Sequence, residues 1–196
     1  MKPSKINKLN NFIAGWYINE KVCDDLINYF ERYPEKKPGG IGIGNELKII
    51  KDKKISTDIV IYPNNNDIEI KNYYKQLNKV LEKYKMKYIY CNINQNEWSI
   101  IEPWNIQKYN PKEGFFKEHC ERSTLSTSPR HLVFMTYLNN VTDRGETHFL
   151  YQKLKVKPEK GLTLIWGTDW TFTHKGITSP TQTKYITTGW YSYRNY

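Results

Sequence analysis

From Trp98 onward the chain is cut at short, regular intervals by turn-forming residues, and this constrains its fold more than any other feature. The turns fall at 110–114, 126–129, 139–145, 158–161 and 176–180. The stretches between them run about 4–8 residues and alternate apolar with polar positions, the period of a strand with one buried face. Helices need longer uninterrupted segments with a 3.6-residue period. Residues 98–196 therefore read as a β-sandwich or barrel.

The first half reads differently. A helix is predicted over 20–33, with Asn19 as N-cap and Val22, Leu26, Phe30 and Tyr33 as its apolar stripe; Pro34 stops it. A second helix is predicted over 67–87, with Asp67 as cap and Ile70, Tyr73, Tyr74, Leu77, Val80, Leu81 and Tyr84 on one face. Between them, residues 41–62 are rich in Ile, with Ile55, Thr57, Ile59 and Ile61 on one side, which predicts one or two strands. No repeat or low-complexity linker divides the chain. The expected fold is α+β, mainly β, in one domain over 1–196: helices and strands of 1–97 support a β core of 98–196.

Composition excludes several function classes. At 196 residues and 38% hydrophobic content the chain can bury a core, yet no apolar run approaches the ~18 residues of a membrane span, so no membrane partner is expected. The net charge of +10 raises the question of nucleic acid. Its 30 basic residues are mostly Lys, and each half of the chain carries +5, so no basic arm stands out. Coding bias in an AT-rich genome accounts for such Lys, Asn and Ile usage, and nucleic acid is not the expected partner. Cys23, Cys91 and Cys120 are odd in number and form no C-x-x-C pair. That predicts free thiols and a cytoplasmic setting, the host's if the source is a virus.

The chemistry-bearing residues lie in the second half. In His119-Cys120-Glu121 the first and third side chains of a strand would face the same way, with Cys120 packed on the opposite side. His174 lies 55 residues on, after the strand-like 163–166. Two His and a carboxylate are the donor set of a non-haem Fe(II) facial triad; a surface His–Glu pair is the competing reading. His131 and His148 read as polar or core histidines. The 40–44 glycine run lacks the spacing of a nucleotide loop. The Lys51–Lys54 cluster reads as a solvated face, and Trp104, Trp166 and Trp170 as packing residues. Segments 36–47 and 122–129 are the candidate mobile loops.

Ordered motifs extend this pattern. Residues 106–121 run from Tyr109 through a turn to Gly114-Phe115-Phe116-Lys117-Glu118-His119-Cys120-Glu121. Arg130 opens a strand ending Tyr137-Leu138-Asn139. Gly145-Glu146-Thr147-His148-Phe149, Val156-Lys157-Pro158-Glu159-Lys160-Gly161, and His174 followed by Lys184-Tyr185 and Trp190 complete the series. Over roughly 98–193 this order resembles the 2-oxoglutarate/Fe(II)-dependent oxygenases of the prolyl 4-hydroxylase-like group.

The resemblance implies a double-stranded β-helix (jelly roll) with N-terminal supporting helices. It implies His119, Glu121 and His174 as metal ligands and catalytic residues, with Fe(II), 2-oxoglutarate and O₂ as cofactors and co-substrates and ascorbate as an accompanying reductant. Lys184 would bind the far carboxylate of 2-oxoglutarate, assisted by Thr147, Tyr109 and Tyr137; Arg130 and Trp190 would line the substrate entrance. The implied activity is hydroxylation of a C–H bond, with peptidyl proline in a Pro-rich protein or peptide as the favoured substrate. The alternatives are the same chemistry on a free amino acid or small molecule, nucleic-acid demethylation, and a metal-free jelly-roll binding module. Three positions depart from the family pattern: Glu121 stands where Asp is usual, Phe116 where Tyr is frequent, and Arg144 where the turn's first Gly is usual. The last suggests a different backbone angle there.

Overall fold

The computed structural model describes residues 1–43, 46–93 and 98–194. Among the described residues, two long helices, α1 (Glu20–Arg32) and α2 (Ile68–Lys87), accompany fifteen short strands. In chain order these are β1 (Ala14–Tyr17), β2 (Lys37–Pro38), β3 (Ile41–Ile43), β4 (Glu46–Lys48), β5 (Lys54–Ile55), β6 (Thr57–Ile61), β7 (Trp98–Ser99), β8 (Trp104–Tyr109), β9 (Gly114–Phe115), β10 (Arg130–Tyr137), β11 (Thr147–Phe149), β12 (Leu154–Val156), β13 (Leu162–Gly167), β14 (His174–Gly176) and β15 (Lys184–Tyr193).

The major sheet is antiparallel, in the order β1-β13-β10-β15-β8-β6-β2, with β7 added to the end of β15. A minor sheet, β12-β11-β14, provides the second layer. The architecture is the expected jelly roll, mainly β with supporting helices. Strands from both sides of residue 97 share the major sheet, so the N-terminal segment is woven into the core.

Burial explains why the major sheet is nearly continuous in apolar residues. One face carries the helices. Leu132, Phe134, Ile165, Ile106 and Tyr191 pack there with Leu26, Phe30, Ile70, Tyr73, Leu77 and Val80. The other face looks into the barrel, where Val133, Met135, Tyr137, Leu164, Trp166 and Ile186 meet Phe149 and Val156 of the minor sheet. Successive residues of β10 thus serve two different cores. Helix α2 and the major sheet are keyed by polar bonds as well. Tyr73 of α2 bonds through its hydroxyl to Thr136 and Thr187 at 2.9 and 2.7 Å, and Thr136 bonds to Thr163 at 2.8 Å.

Both helices lie where the periodicity places them. Asn19 caps α1 by accepting from the Lys21 amide. Asp67 occupies the cap position of α2 without a capping bond; its carboxylate instead accepts from the Tyr29 hydroxyl at 2.6 Å and so ties the two helices together. The described residues of 41–62 hold four short strands rather than one or two. Segment 36–47, expected as loop, contains β2, β3 and part of β4; Gly44 of the glycine run lies outside the described residues. Arg144 adopts φ 63°, the left-handed region a glycine favours. The turn therefore keeps a glycine-like angle, and Arg144 carries a cost of about 1–2 kcal/mol.

Candidate metal and co-substrate site

The two ligand-bearing segments meet where the irregular 119–121 stretch crosses the start of β14. His119 and His174 form an isolated antiparallel bridge, each backbone N–H donating to the other's carbonyl at 3.0 and 2.9 Å. The amides of Glu121 and Arg122 both donate to the Thr168 carbonyl, at 3.0 and 2.9 Å. The strand expected at His119–Glu121 is thus a single bridge, since β9 ends at Phe115. Hydrogen bonds to 168 and 174 aim the side chains instead.

The result is a tight cluster. One ligand atom from each of His119, Glu121 and His174 lies within 4.8 Å of the others. Glu121 Oε1 is 3.5 Å from Nε2 of both histidines, and ligands at right angles around a metal with ~2.1 Å bonds sit about 3 Å apart. Each imidazole places Nδ1 2.9 Å from a backbone carbonyl, of Lys117 for His119 and of Phe172 for His174. A carbonyl only accepts, so Nδ1 carries the proton and Nε2 keeps its lone pair turned to the cluster, the tautomer a metal requires. Phe115 stacks on His119 with centroids 3.8 Å apart.

Electrostatics agree with metal ligation. Burial alone would raise the Glu121 pKa, but His119 and His174 overcome it and hold the carboxyl well below its usual range. Burial, and then the neighbouring His174, push the His119 pKa down, which favours the neutral, metal-binding form.

These residues border a cavity of about 500 Å³. Lys184 opens β15 and is buried inside it. Its Nζ donates to the carbonyls of Gly145 (2.9 Å) and Ile177 (3.4 Å) and sits 5.2 Å from the centre of the Tyr109 ring. No carboxylate among the described residues pairs with it. A buried ammonium held only by neutral groups is costly and fits an anionic ligand. Burial lowers its pKa from 10.5 to about 8, with Glu146 opposing in part. As the strand parity requires, Ile186, Thr188 and Trp190 line the same cavity.

The other predicted residues are present with different partners. Tyr137 donates to Thr147 Oγ1 at 2.6 Å, and Tyr109 donates to Gln107 Oε1 at 2.6 Å; all four residues line the cavity. Arg130 and Trp190 also line it, but they engage Glu121: Trp190 Nε1 donates to Oε2 at 2.9 Å, and Arg130 donates to the Glu121 carbonyl at 3.0 Å. Cys120 borders the cavity rather than facing away, its thiol 3.6 Å from the Arg122 carbonyl. Ser123, Thr124, Ser126 and Thr127 of the 122–129 segment form one part of the wall, with Gly40, Ile41 and Gly42 also contributing. Phe116 is not in the wall.

Two expectations need correction. Lys54, read as part of a solvated face, is buried and pairs with Asp58 at 2.7 Å; Asp58 also accepts from Ser56 at 2.7 Å. Lysine content alone cannot separate this residue from its exposed neighbours, and only Asp58 at i+4 hints at the pairing. Trp170 is exposed and meets Tyr151 edge-on. Trp104 is core, Trp166 packs edge-on against His174, and His131 bonds to the Cys91 carbonyl at 2.7 Å.

A jelly roll holding a half-buried His–Glu–His cluster beside a buried lysine is an arrangement suited to a mononuclear non-haem metal and an anionic co-substrate. Residues 104–192 match the family model described as the 2OG-Fe(II) oxygenase superfamily. No curated protein sequence matches the chain. Among solved structures, a Pseudomonas putida prolyl-4-hydroxylase aligns at 14% identity with TM-score 0.70, covering 95% of each chain. The viral collagen prolyl hydroxylase of Paramecium Bursaria Chlorella virus-1, solved with 2OG, aligns at 17% identity with TM-score 0.67 over 93% of this chain and 97% of that one. A Trichoplax adhaerens prolyl hydroxylase bound to a hypoxia inducible factor peptide fragment aligns at 13% identity with TM-score 0.69 over 96% and 86%. The chain is 2-oxoglutarate/Fe(II) oxygenase-like over its matched segment and prolyl 4-hydroxylase-like in fold. Fe(II), 2-oxoglutarate and O₂ are the metal and co-substrates of that superfamily, and the donor set here fits them.

Proposed function

We propose that this protein is an Fe(II)- and 2-oxoglutarate-dependent hydroxylase acting on a protein or peptide, with peptidyl proline the favoured target. The observation that carries the reading is the pairing, in one cavity, of the His119–Glu121–His174 cluster with a buried lysine that pairs with no carboxylate among the described residues. His119, Glu121 and His174 would hold Fe(II), and bound Fe(II) with 2-oxoglutarate supplies O₂ activation for C–H hydroxylation.

The chain's own residues do the rest. Lys184 Nζ offers a charge-assisted bond to the co-substrate's far carboxylate. Tyr109, Tyr137 and Thr147 border that region of the cavity with hydroxyls already oriented by Gln107 and by each other. Phe115, Met135, Trp166 and Ile186 supply apolar wall that excludes water from the reacting centre. Proline is supported by three structural neighbours that are prolyl hydroxylases, and a peptide by the one of them bound to a peptide fragment. The hydroxyl-bearing rim of Ser123, Thr124, Ser126 and Thr127 suits polar backbone.

The test incubates the protein with Fe(II), 2-oxoglutarate, ascorbate and Pro-rich peptides. One oxygen atom gained on proline, matched by succinate, is the expected result. Succinate without peptide oxidation would move the substrate to a free amino acid or small molecule. His174→Ala should abolish succinate formation; undiminished turnover would sink the cluster assignment.

A further inference from the structure

The acidic residue of the cluster is a glutamate, and its two oxygens have different surroundings. Oε1 lies 3.5 Å from both imidazole Nε2 atoms. Oε2 points away from them, accepting from Trp190 Nε1 at 2.9 Å and lying 3.9 Å from Arg130 Nη1. Arg130 is itself fixed on three sides. Its guanidinium lies 3.6 Å from the centre of the Trp190 ring. Its Nη1 donates to the Glu121 carbonyl at 3.0 Å. Its Nε and Nη2 both donate to Glu102 Oε2, at 3.0 and 2.8 Å, while Ser192 donates to the other oxygen of Glu102.

We propose that Trp190 and Arg130, braced by Glu102, clamp Glu121 as a one-oxygen metal ligand, and that this clamp fits the site to glutamate rather than aspartate. The inference rests on the metal-site reading above. A carboxylate binds a cation through one oxygen or two. Holding Oε2 by a hydrogen bond commits it elsewhere and presents Oε1 alone to the histidines. The backbone cannot easily follow a shorter side chain, because the amides of Glu121 and Arg122 are both tied to the Thr168 carbonyl. An aspartate at 121 would therefore reach either the histidines or Trp190, not both. Because Glu102 pairs with Arg130, the arginine orients Glu121 without cancelling its charge. Arg130 and Trp190 are positioning residues in this account, which goes beyond lining an entrance.

The test measures Co(II) binding to the folded protein under anaerobic conditions, by calorimetry and by the visible Co(II) spectrum. Glu121→Asp and Trp190→Phe should each weaken Co(II) binding about tenfold, the low end for losing a group that orients a ligand. The double variant should bind no worse than Glu121→Asp within about twofold, since both changes remove one interaction. The Trp190→Phe spectrum should shift as the freed carboxylate gains a second bond. Glu102→Gln, which leaves the cluster and Trp190 in place, should weaken binding in the same direction. Retained affinity in Glu121→Asp, or unchanged affinity and spectrum in folded Trp190→Phe, overturns the clamp and leaves the metal reading standing. Wild-type protein that binds Co(II) no better than His174→Ala overturns both.

Discussion

Lys184 shows how one residue can be legible in the sequence for its role and illegible for its cost. The family resemblance marks it as the proposed co-substrate ligand, but only the fold shows an ammonium buried against two carbonyls and a phenol ring. Lys184→Met should weaken 2-oxoglutarate binding at least about tenfold, since a bond to a charged group contributes about 1.5–3 kcal/mol; calorimetry with Mn(II) present would read it. The lowered pKa of about 8 gives a pH dependence with a definite sign. Only the protonated amine binds the dianion, so affinity should fall as pH rises above about 8, with proton uptake on binding just above that value. Unchanged affinity between pH 7 and 9.5 would contradict this. Stability runs the other way: between about 8 and the unfolded value of 10.5 the native state binds fewer protons. The burial penalty is full below about 8 and is relieved as pH climbs through that window.

At the level of elements, alternation forecast the strands and helix faces well, because burying one face or two is written in residue order. It did not forecast how the layers are joined. Tyr73 is legible as an apolar position of α2, yet its hydroxyl reaches β10 and β15 across 63 and 114 residues of sequence. Tyr73→Phe should destabilise the fold by about 1–2 kcal/mol, tempered by the Thr136–Thr163 bond that remains; a urea midpoint shifted with unchanged slope would report it. Gly189 is the counterpart on β15. A Cβ there would stand 2.5 Å from both Phe134 Cζ and Trp104 Cβ, so Gly189→Ala should cost about 1–3 kcal/mol by overpacking. Equal stability in urea would show that the rings yield freely. The 119–121 segment shows the limit of parity arguments. Strand geometry was the wrong reason for His119 and Glu121 to face together, and hydrogen bonds to 168 and 174 were the actual one.

For the whole molecule, the site is a joint between layers. His174 opens β14 of the minor sheet, Lys184 opens β15 of the major sheet, and His119 and Glu121 sit on the irregular segment between β9 and β10. Ligands that bind this joint should therefore stabilise the whole fold. Mn(II) with 2-oxoglutarate at about 100 times the dissociation constant should add about 2.7 kcal/mol, read as a higher melting temperature; His174→Ala should lose that gain. What the sequence by itself determined was the β-rich half, the two helices, and which residues to propose as metal and co-substrate ligands, because periodicity and motif spacing are local properties. What only the tertiary structure decided was the grip of Trp190 and Arg130 on Glu121, the burial of Lys54 against Asp58, and the side on which Cys120 lies. The contact between Glu121 and Trp190 spans 69 residues. Such contacts depend on how separately formed segments stack, and no linear pattern encodes the distance between them.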